Sequence, residues 1–152
     1  KPVHLRNTFN LEEELMEVLD EFKADFERIA PEIAEYSEYR ADDAEILIIA
    51  HGIVSRSAMT AIDALREKGI KAGLFRPVTL RPIAEQPLRN AAQNAKKILF
   101  TESANGQMTR LCLEKMYGLT TPYETLYKMG VGVTGGDIIQ KVEKMSGAVA
   151  CG

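Results

Sequence analysis

Apolar residues along this chain follow two different periods. Leu11, Leu15, Val18, Leu19, Phe22, Phe26 and Ile29 recur every three or four positions, the spacing of one face of a helix of roughly five turns. Asn10 suits the N-cap of that helix, and Glu13 can reach back to it as in a capping box. Pro31 can open a second helical piece, because a first turn does not need its missing N–H. Ile33, Tyr36 and Tyr39 then continue the apolar face, and residues 40–43 form a polar break. Residues 1–9 read as irregular.

The pattern changes at Ala44. Residues 46–49 are an unbroken run of isoleucine and leucine, as expected of a strand covered on both faces. A helix from about Ser55 turns Ala58, Met59, Ile62 and Leu65 inward and ends at Gly69. Strands are predicted over residues 71–75, 97–101 and, more weakly, 125–128. Between and after them come three helical segments. The first is opened or bracketed by Pro82 and Pro87 and runs to Ala92. The second covers residues 106–117, with Met108, Leu111, Cys112 and Met116 on one side and Gly118 as its stop. The third runs from the Gly135-Gly136-Asp137 turn to Met145. Strand and helix alternate throughout. Right-handed crossovers therefore predict an α/β fold of three layers, a doubly wound, mostly parallel sheet preceded by an N-terminal helical arm. The expected division is a helical connector at 1–43, the α/β domain at 44–146 and a flexible tail at 147–152.

Composition narrows the function more than the fold. The chain has 152 residues and a net charge of −3, enough for one domain and barely for two. Acids and bases are interspersed apart from an acidic stretch at 12–38, which suits a solvated helix face. No basic stripe points to nucleic acid, and no apolar run is long enough for a membrane. The two cysteines, Cys112 and Cys151, cannot build a cysteine-rich metal site. Cys112 reads as a buried thiol and Cys151 as part of the tail, which together suggest a reduced, cytoplasmic protein. The chain starts at Lys1 and not at Met, so it is expected to be a piece of something longer.

Polar residues gather where the predicted strands end. Gly52 could bring backbone close to a phosphate, but no dinucleotide fingerprint or phosphate loop surrounds it, and a tight turn explains it more cheaply. Ser55 and Ser57 read as caps. His51 stands at a strand end without a Ser, Cys or acid placed to partner it, and His4 lies in the irregular start. Pro77 keeps Arg76 extended at the sheet edge, where Arg76 could meet an anion, a partner's carboxylate or an acid of its own domain. Thr101-Glu102-Ser103-Ala104-Asn105-Gly106-Gln107 is the densest polar cluster, but Glu102 has no acid partner for paired-carboxylate chemistry. The glycine-rich loop at 130–136 could nest an anion, although Asp137 would already satisfy the following helix. Leu15, Phe22 and Phe26 either pack on the chain's own sheet or face a partner. By residues alone the chain is an interaction or structural domain.

Three segments carry a family resemblance: ILIIAHGIVSRSAMTAIDALREKGIKAGLFRPVTLRP, KKILFTESANGQM and GVGVTGGDII. They resemble the transketolase C-terminal-like domain, domain II, of the α subunit of 2-oxoacid:ferredoxin oxidoreductases of the ketoisovalerate and 2-oxoglutarate type. The likeness covers about residues 44–145, and the acidic arm at 10–40 looks like the connector before that domain. His51 departs from it, standing where an aromatic residue is expected. The resemblance implies a whole enzyme that decarboxylates a 2-oxoacid on thiamine diphosphate with Mg²⁺. That enzyme passes electrons through [4Fe–4S] clusters to ferredoxin and releases an acyl-CoA. It further implies partners, a thiamine diphosphate-binding β subunit and a small iron–sulfur subunit, with the catalytic glutamate upstream of Lys1. No catalytic, cofactor-binding or metal-binding residue is carried over to this chain. Gly52, Arg56, Arg76, Pro77, Glu102, Asn105, Gly106 and Gln107 are the candidate interface residues. Two alternatives remain open, a stand-alone anion-binding or regulatory module and the C-terminal domain of another thiamine diphosphate enzyme.

Overall fold

The computed structural model describes residues 8–147. The expectations for His4, for Cys151 and for the tail beyond Gly147 lie outside these residues. The chain divides into two compact units, 1–33 and 34–152.

The first unit contains helix α1 (Glu12–Ile33), with Glu12, Glu13 and Glu14 at its positive end. Leu15 N–H donates to Leu11 O at 3.3 Å, which puts the first turn one residue past the expected Asn10 cap. The helix continues through Pro31, where the sequence suggested a new start. None of its side chains is buried; Met16, Leu19 and Phe22 are each more than half exposed.

The second unit is a five-stranded sheet with helices on both faces. In chain order it runs β1 (Tyr36–Tyr39), β2 (Ile46–Ile49), α2 (Gly52–Glu67), β3 (Ala72–Pro77), α3 (Glu85–Asn94), β4 (Lys97–Glu102), α4 (Gln107–Lys115), β5 (Tyr123–Tyr127) and α5 (Gly135–Ser146). The strand order is β1-β3-β2-β4-β5. β2, β3, β4 and β5 are parallel, and β1 is antiparallel to β3. β2 lies at the centre because all four of its residues are apolar and all four are buried. Ile46 and Ile48 meet α2 and α5 in one core cluster. Leu47 and Ile49 meet α3 and α4 in the other. The three-layer, doubly wound sheet expected from the sequence is what forms.

β1 corrects the sequence reading. Tyr36 and Tyr39 are three apart and so fit a helical face, but an odd spacing in a strand puts them on opposite faces. Both faces are used. Tyr36 stacks on Phe75 at 5.4 Å between ring centroids, and the Tyr39 hydroxyl donates to Asp63 at 2.8 Å. Pairing with β3 therefore draws residues 36–39 into the α/β unit, which begins before the expected boundary at 43/44. A second correction concerns α2. It starts at Gly52, three residues earlier than expected, and Met59 points outward while Ala61 takes the inward place. Ser55 is not a cap; its hydroxyl donates back to Gly52 O at 2.6 Å.

The turn between β1 and β2 is locked onto β3. Arg40 adopts a left-handed φ of 50°, and its carbonyl accepts from Arg66 Nη2 at 2.8 Å. Arg66 also donates to Ala72 O at 2.7 Å and to Asp43 Oδ1 at 2.7 Å. Gly73 lies beneath this turn. A Cβ at Gly73 would meet the Arg40 carbonyl and sit 2.8 Å from Ala41 Cα and from Ala44 Cβ. Backbone cannot retreat as a flexible side chain could, so Gly73→Ala should cost about 1–3 kcal/mol of stability. Urea denaturation of the two forms measures it, and an unchanged midpoint would contradict this packing.

Candidate functional site

The parallel strands end along one edge of the sheet, and the loops that follow them meet there. The chain reverses direction across the sheet at β2: α2 carries it to β3 on one side, and α3 carries it back across to β4 on the other. The loop after β2 rises toward α2 and the loop after β4 toward α4, which lie on opposite faces. A crevice at such a switch point is where open α/β sheets take ligands. Gly52, Arg76, Pro77, Glu102, Asn105, Gly106 and Gln107 all fall at this edge, and Arg56 follows one turn into α2.

Glu102 is the first of these residues that the structure reassigns. It is fully buried. One carboxylate oxygen accepts from Met108 N–H at 3.1 Å; the other accepts from Thr109 N–H at 3.1 Å and from the Thr109 hydroxyl at 2.7 Å. It therefore neutralises the orphan donors and positive end of α4 from the preceding strand. At the other end of α4, Arg89 Nη1 donates to the carbonyls of Lys115 at 2.8 Å and Tyr117 at 3.1 Å. A helix of only nine residues is thus held by a charge at each end. Pro77 and Gly106 are also buried, so three of the eight interface candidates work inside the fold. Gly106 has φ 79°, and the Tyr127 hydroxyl lies 3.2 Å from where its Cβ would be.

Asn105 and Gln107 are exposed, with Gln107 Oε1 accepting from Asn105 N–H at 2.7 Å. Gly52 has φ 56°, which confirms its turn role. His51 is the N-cap of α2 but makes no side-chain cap hydrogen bond. Arg56 is exposed, and Arg76 is partly buried. The glycine-rich loop after β5 is occupied from within. Thr134 and Asp137 form a reciprocal capping box on α5, and Lys128 Nζ donates to Asp137 Oδ2 at 2.7 Å. The carboxylate thus fills the place an anion would take.

A hollow of about 360 Å³ lies at the opposite, amino edge of the sheet, lined by Glu45, Lys71, Lys96 and Lys97 among others. Its lysines are already engaged. Lys96 pairs with Glu45 at 2.9 Å, and Lys97 donates to Met145 O.

Among the described residues, groups for cofactor chemistry are not assembled. Cys112 is the cysteine among the described residues, and burial, reinforced by the Glu102 charge, pushes its thiol up to about 12. An iron–sulfur cluster takes four cysteine thiolates, and a thiol held protonated is the opposite of a metal ligand. Mg²⁺ with a diphosphate asks for free carboxylate oxygens, but Glu102 and Asp137 have spent theirs on helix ends and Lys128. The described residues do not fit thiamine diphosphate with Mg²⁺, or a cluster.

Two measurements test this reading of the carboxylates. Glu102→Gln sets an amide N–H₂ against backbone donors and should cost about 1–3 kcal/mol in urea denaturation; an unchanged midpoint would remove Glu102 from its capping role. Hydrogen bonds from Lys128 and then Thr134 hold the Asp137 carboxyl well below the usual carboxylate range. A carboxylate depressed in the folded state adds stability above its unfolded pKa, about 3.9, and loses it as pH falls toward the folded value. Thermal unfolding from pH 5 to pH 2 should therefore fall more steeply for the parent than for Asp137→Asn, and parallel curves would refute the pairing.

The comparisons agree with this geometry. Residues 44–142 match the model of pyruvate:ferredoxin oxidoreductase core domain II. The ketoisovalerate oxidoreductase subunit VorB of Methanothermobacter marburgensis is 36% identical over 113 residues, covering 74% of this chain and 32% of that protein. The 2-oxoglutarate synthase subunit KorA of the same organism is 40% identical over 67 residues, 44% of this chain and 18% of its own length. The chain therefore spans about a third, or less, of the curated relatives it matches. Two solved structures share the fold. The 2-oxoglutarate:ferredoxin oxidoreductase from Magnetococcus marinus, solved with 2-oxoglutarate, coenzyme A and succinyl-CoA bound, has a TM-score of 0.73 at 17% identity. It covers 89% of this chain and 24% of that one. A split-gene transketolase, an inactive β4 tetramer, has a TM-score of 0.63 at 20% identity, covering 72% of this chain and 40% of that one. With the match running through all four parallel strands and most of α5, this chain belongs to the pyruvate:ferredoxin oxidoreductase core domain II family.

Proposed function

We propose that this chain is domain II of the α subunit of a 2-oxoacid:ferredoxin oxidoreductase of the ketoisovalerate or 2-oxoglutarate type, and that it serves assembly rather than chemistry. The observation that carries this reading is the state of the charged groups at the carboxyl edge. Glu102 and Asp137, the carboxylates a reaction would use, are consumed in holding α4 and α5 in place. A built edge with exposed Asn105, Gln107 and Arg56 around it suits contact with a neighbouring domain or subunit. The family match and the subunit names of the relatives supply the rest. In this reading thiamine diphosphate, Mg²⁺ and [4Fe–4S] clusters reside in other parts of the enzyme. The β subunit and the iron–sulfur subunit are the partners, ferredoxin takes the electrons, CoA takes the acyl group, and the cytoplasm is the compartment.

The stand-alone module that binds an anion through the 130–136 loop loses its support, because the Thr134–Asp137 capping box already fills that helix end. The decisive experiment reconstitutes the full subunits with and without residues 34–152. The intact complex should reduce viologen with a branched-chain or dicarboxylic 2-oxoacid and CoA. The truncated subunits should fail to assemble by native mass spectrometry. A complex that forms and turns over normally without these residues would overturn the assembly role, and inactivity of the intact complex with every 2-oxoacid would overturn the enzyme class.

A further inference from the structure

We propose that the N-terminus of α2, Arg76 and Thr101 together form a binding site for one phosphate group at the carboxyl edge of the sheet. The proposal rests on unpaired donors and does not depend on the assembly role.

Thr101 is fully buried, and its hydroxyl has no hydrogen-bond partner. Buried hydroxyls in native proteins are nearly always paired, so an orphan asks what it is paired with in use. Register gives its direction. Ile49 pairs with Phe100, so Thr101 stands across from Ala50, just before the chain turns into α2. Thr101 alternates with Leu99 and therefore shares the face of Ile48, Ala50 and Leu99, the face that α2 and α5 cover. Register thus places Thr101 at the level of Ala50, two residues before α2 begins.

Arg76 flanks the same point from the other side. β3 adjoins β2, with Ala50 N–H donating to Phe75 O at 3.3 Å, and Arg76 shares the face of Ala72 and Leu74. Its Nε is buried without a hydrogen-bond partner. Arg76 thus stands at the end of the strand next to the one that leads into α2, where an anion would attract both the arginine and the helix start.

α2 supplies the third set of donors. It is a helix of 16 residues with no acid in its first turn and no side-chain cap from His51. Gly52 is exposed, with nothing within 4 Å of where a Cβ would stand. Guanidinium, hydroxyl and backbone N–H are all donors. A tetrahedral dianion with several acceptor oxygens satisfies such a set better than a planar carboxylate. Glu35, which follows the β1 register to a place opposite Val78, is the acid nearest in register on this face, and it is the rival partner for Arg76.

The experiment is calorimetry and thermal unfolding of the intact protein with sodium phosphate, against acetate and chloride at equal ionic strength. Phosphate should bind saturably and raise the Tm, while acetate and chloride do not. Thr101→Val and Arg76→Gln should each weaken phosphate binding at least tenfold, with Arg76→Lys recovering part of it. Thr101→Val keeps the shape and removes the orphan hydroxyl, so it should be at least as stable as the parent without phosphate. Methyl phosphate separates the sources: retained affinity marks a phosphate carried on an organic ligand, and lost affinity marks the free ion. The proposal falls if acetate matches phosphate, if neither variant changes the affinity, or if Glu35→Gln and Arg76→Gln destabilise the phosphate-free protein equally and non-additively, as an internal ion pair would.

Discussion

Everything in the α/β unit depends on the burial of β2 on both faces. Four consecutive aliphatic residues leave no side for water, so the strand needs neighbours left and right and helices above and below. Helices on both faces require the chain to leave β2 in one direction and return to its far side. That return creates the switch point, and the parallel direction of the strands places their loops together beside it. The carboxyl edge is therefore a consequence of four residues in the middle of the sheet.

What happens at that edge is decided by how each helix start is neutralised. α4 takes a buried carboxylate from the strand before it, and α5 takes one from its own first turn, tied to Lys128. Both solutions use up groups that a catalytic site would keep free. This supports the proposed role of the edge as a joint in an assembly, in a family with relatives named as subunits. α2 is left without a carboxylate and stands beside an arginine whose Nε has no partner and a hydroxyl without one. The same economy that removes two acids from chemistry leaves one place where an anion is missing.

Much of the fold was legible because apolar period and glycine position are local signals. The parallel strands and the helices after them follow from runs such as 46–49 and from stops such as Gly69, with φ 80°. Residues 36–39 were not legible. Two tyrosines three apart satisfy a helix, and only the antiparallel partner β3 and the Phe75 ring make them a strand. Met59 was misplaced for a related reason. The inward stripe of α2 is set by where α5 packs, and a Cβ at Gly135 would stand 3.4 Å from Ser57 O at that crossing.

The sequence by itself determined the class of sheet, the order of its elements and the motifs that carry the family likeness, because each is written in residues close together along the chain. It also brought the candidate polar residues to one edge. Only the tertiary structure decided what those residues do. Glu102 changes from an interface candidate to a helix cap because Met108 and Thr109 fold back over it, and Thr101 becomes an orphan because Ala50 across from it offers no polar side chain. Hydrogen-bond satisfaction is a property of three-dimensional neighbours, so it could not be read from the chain in order.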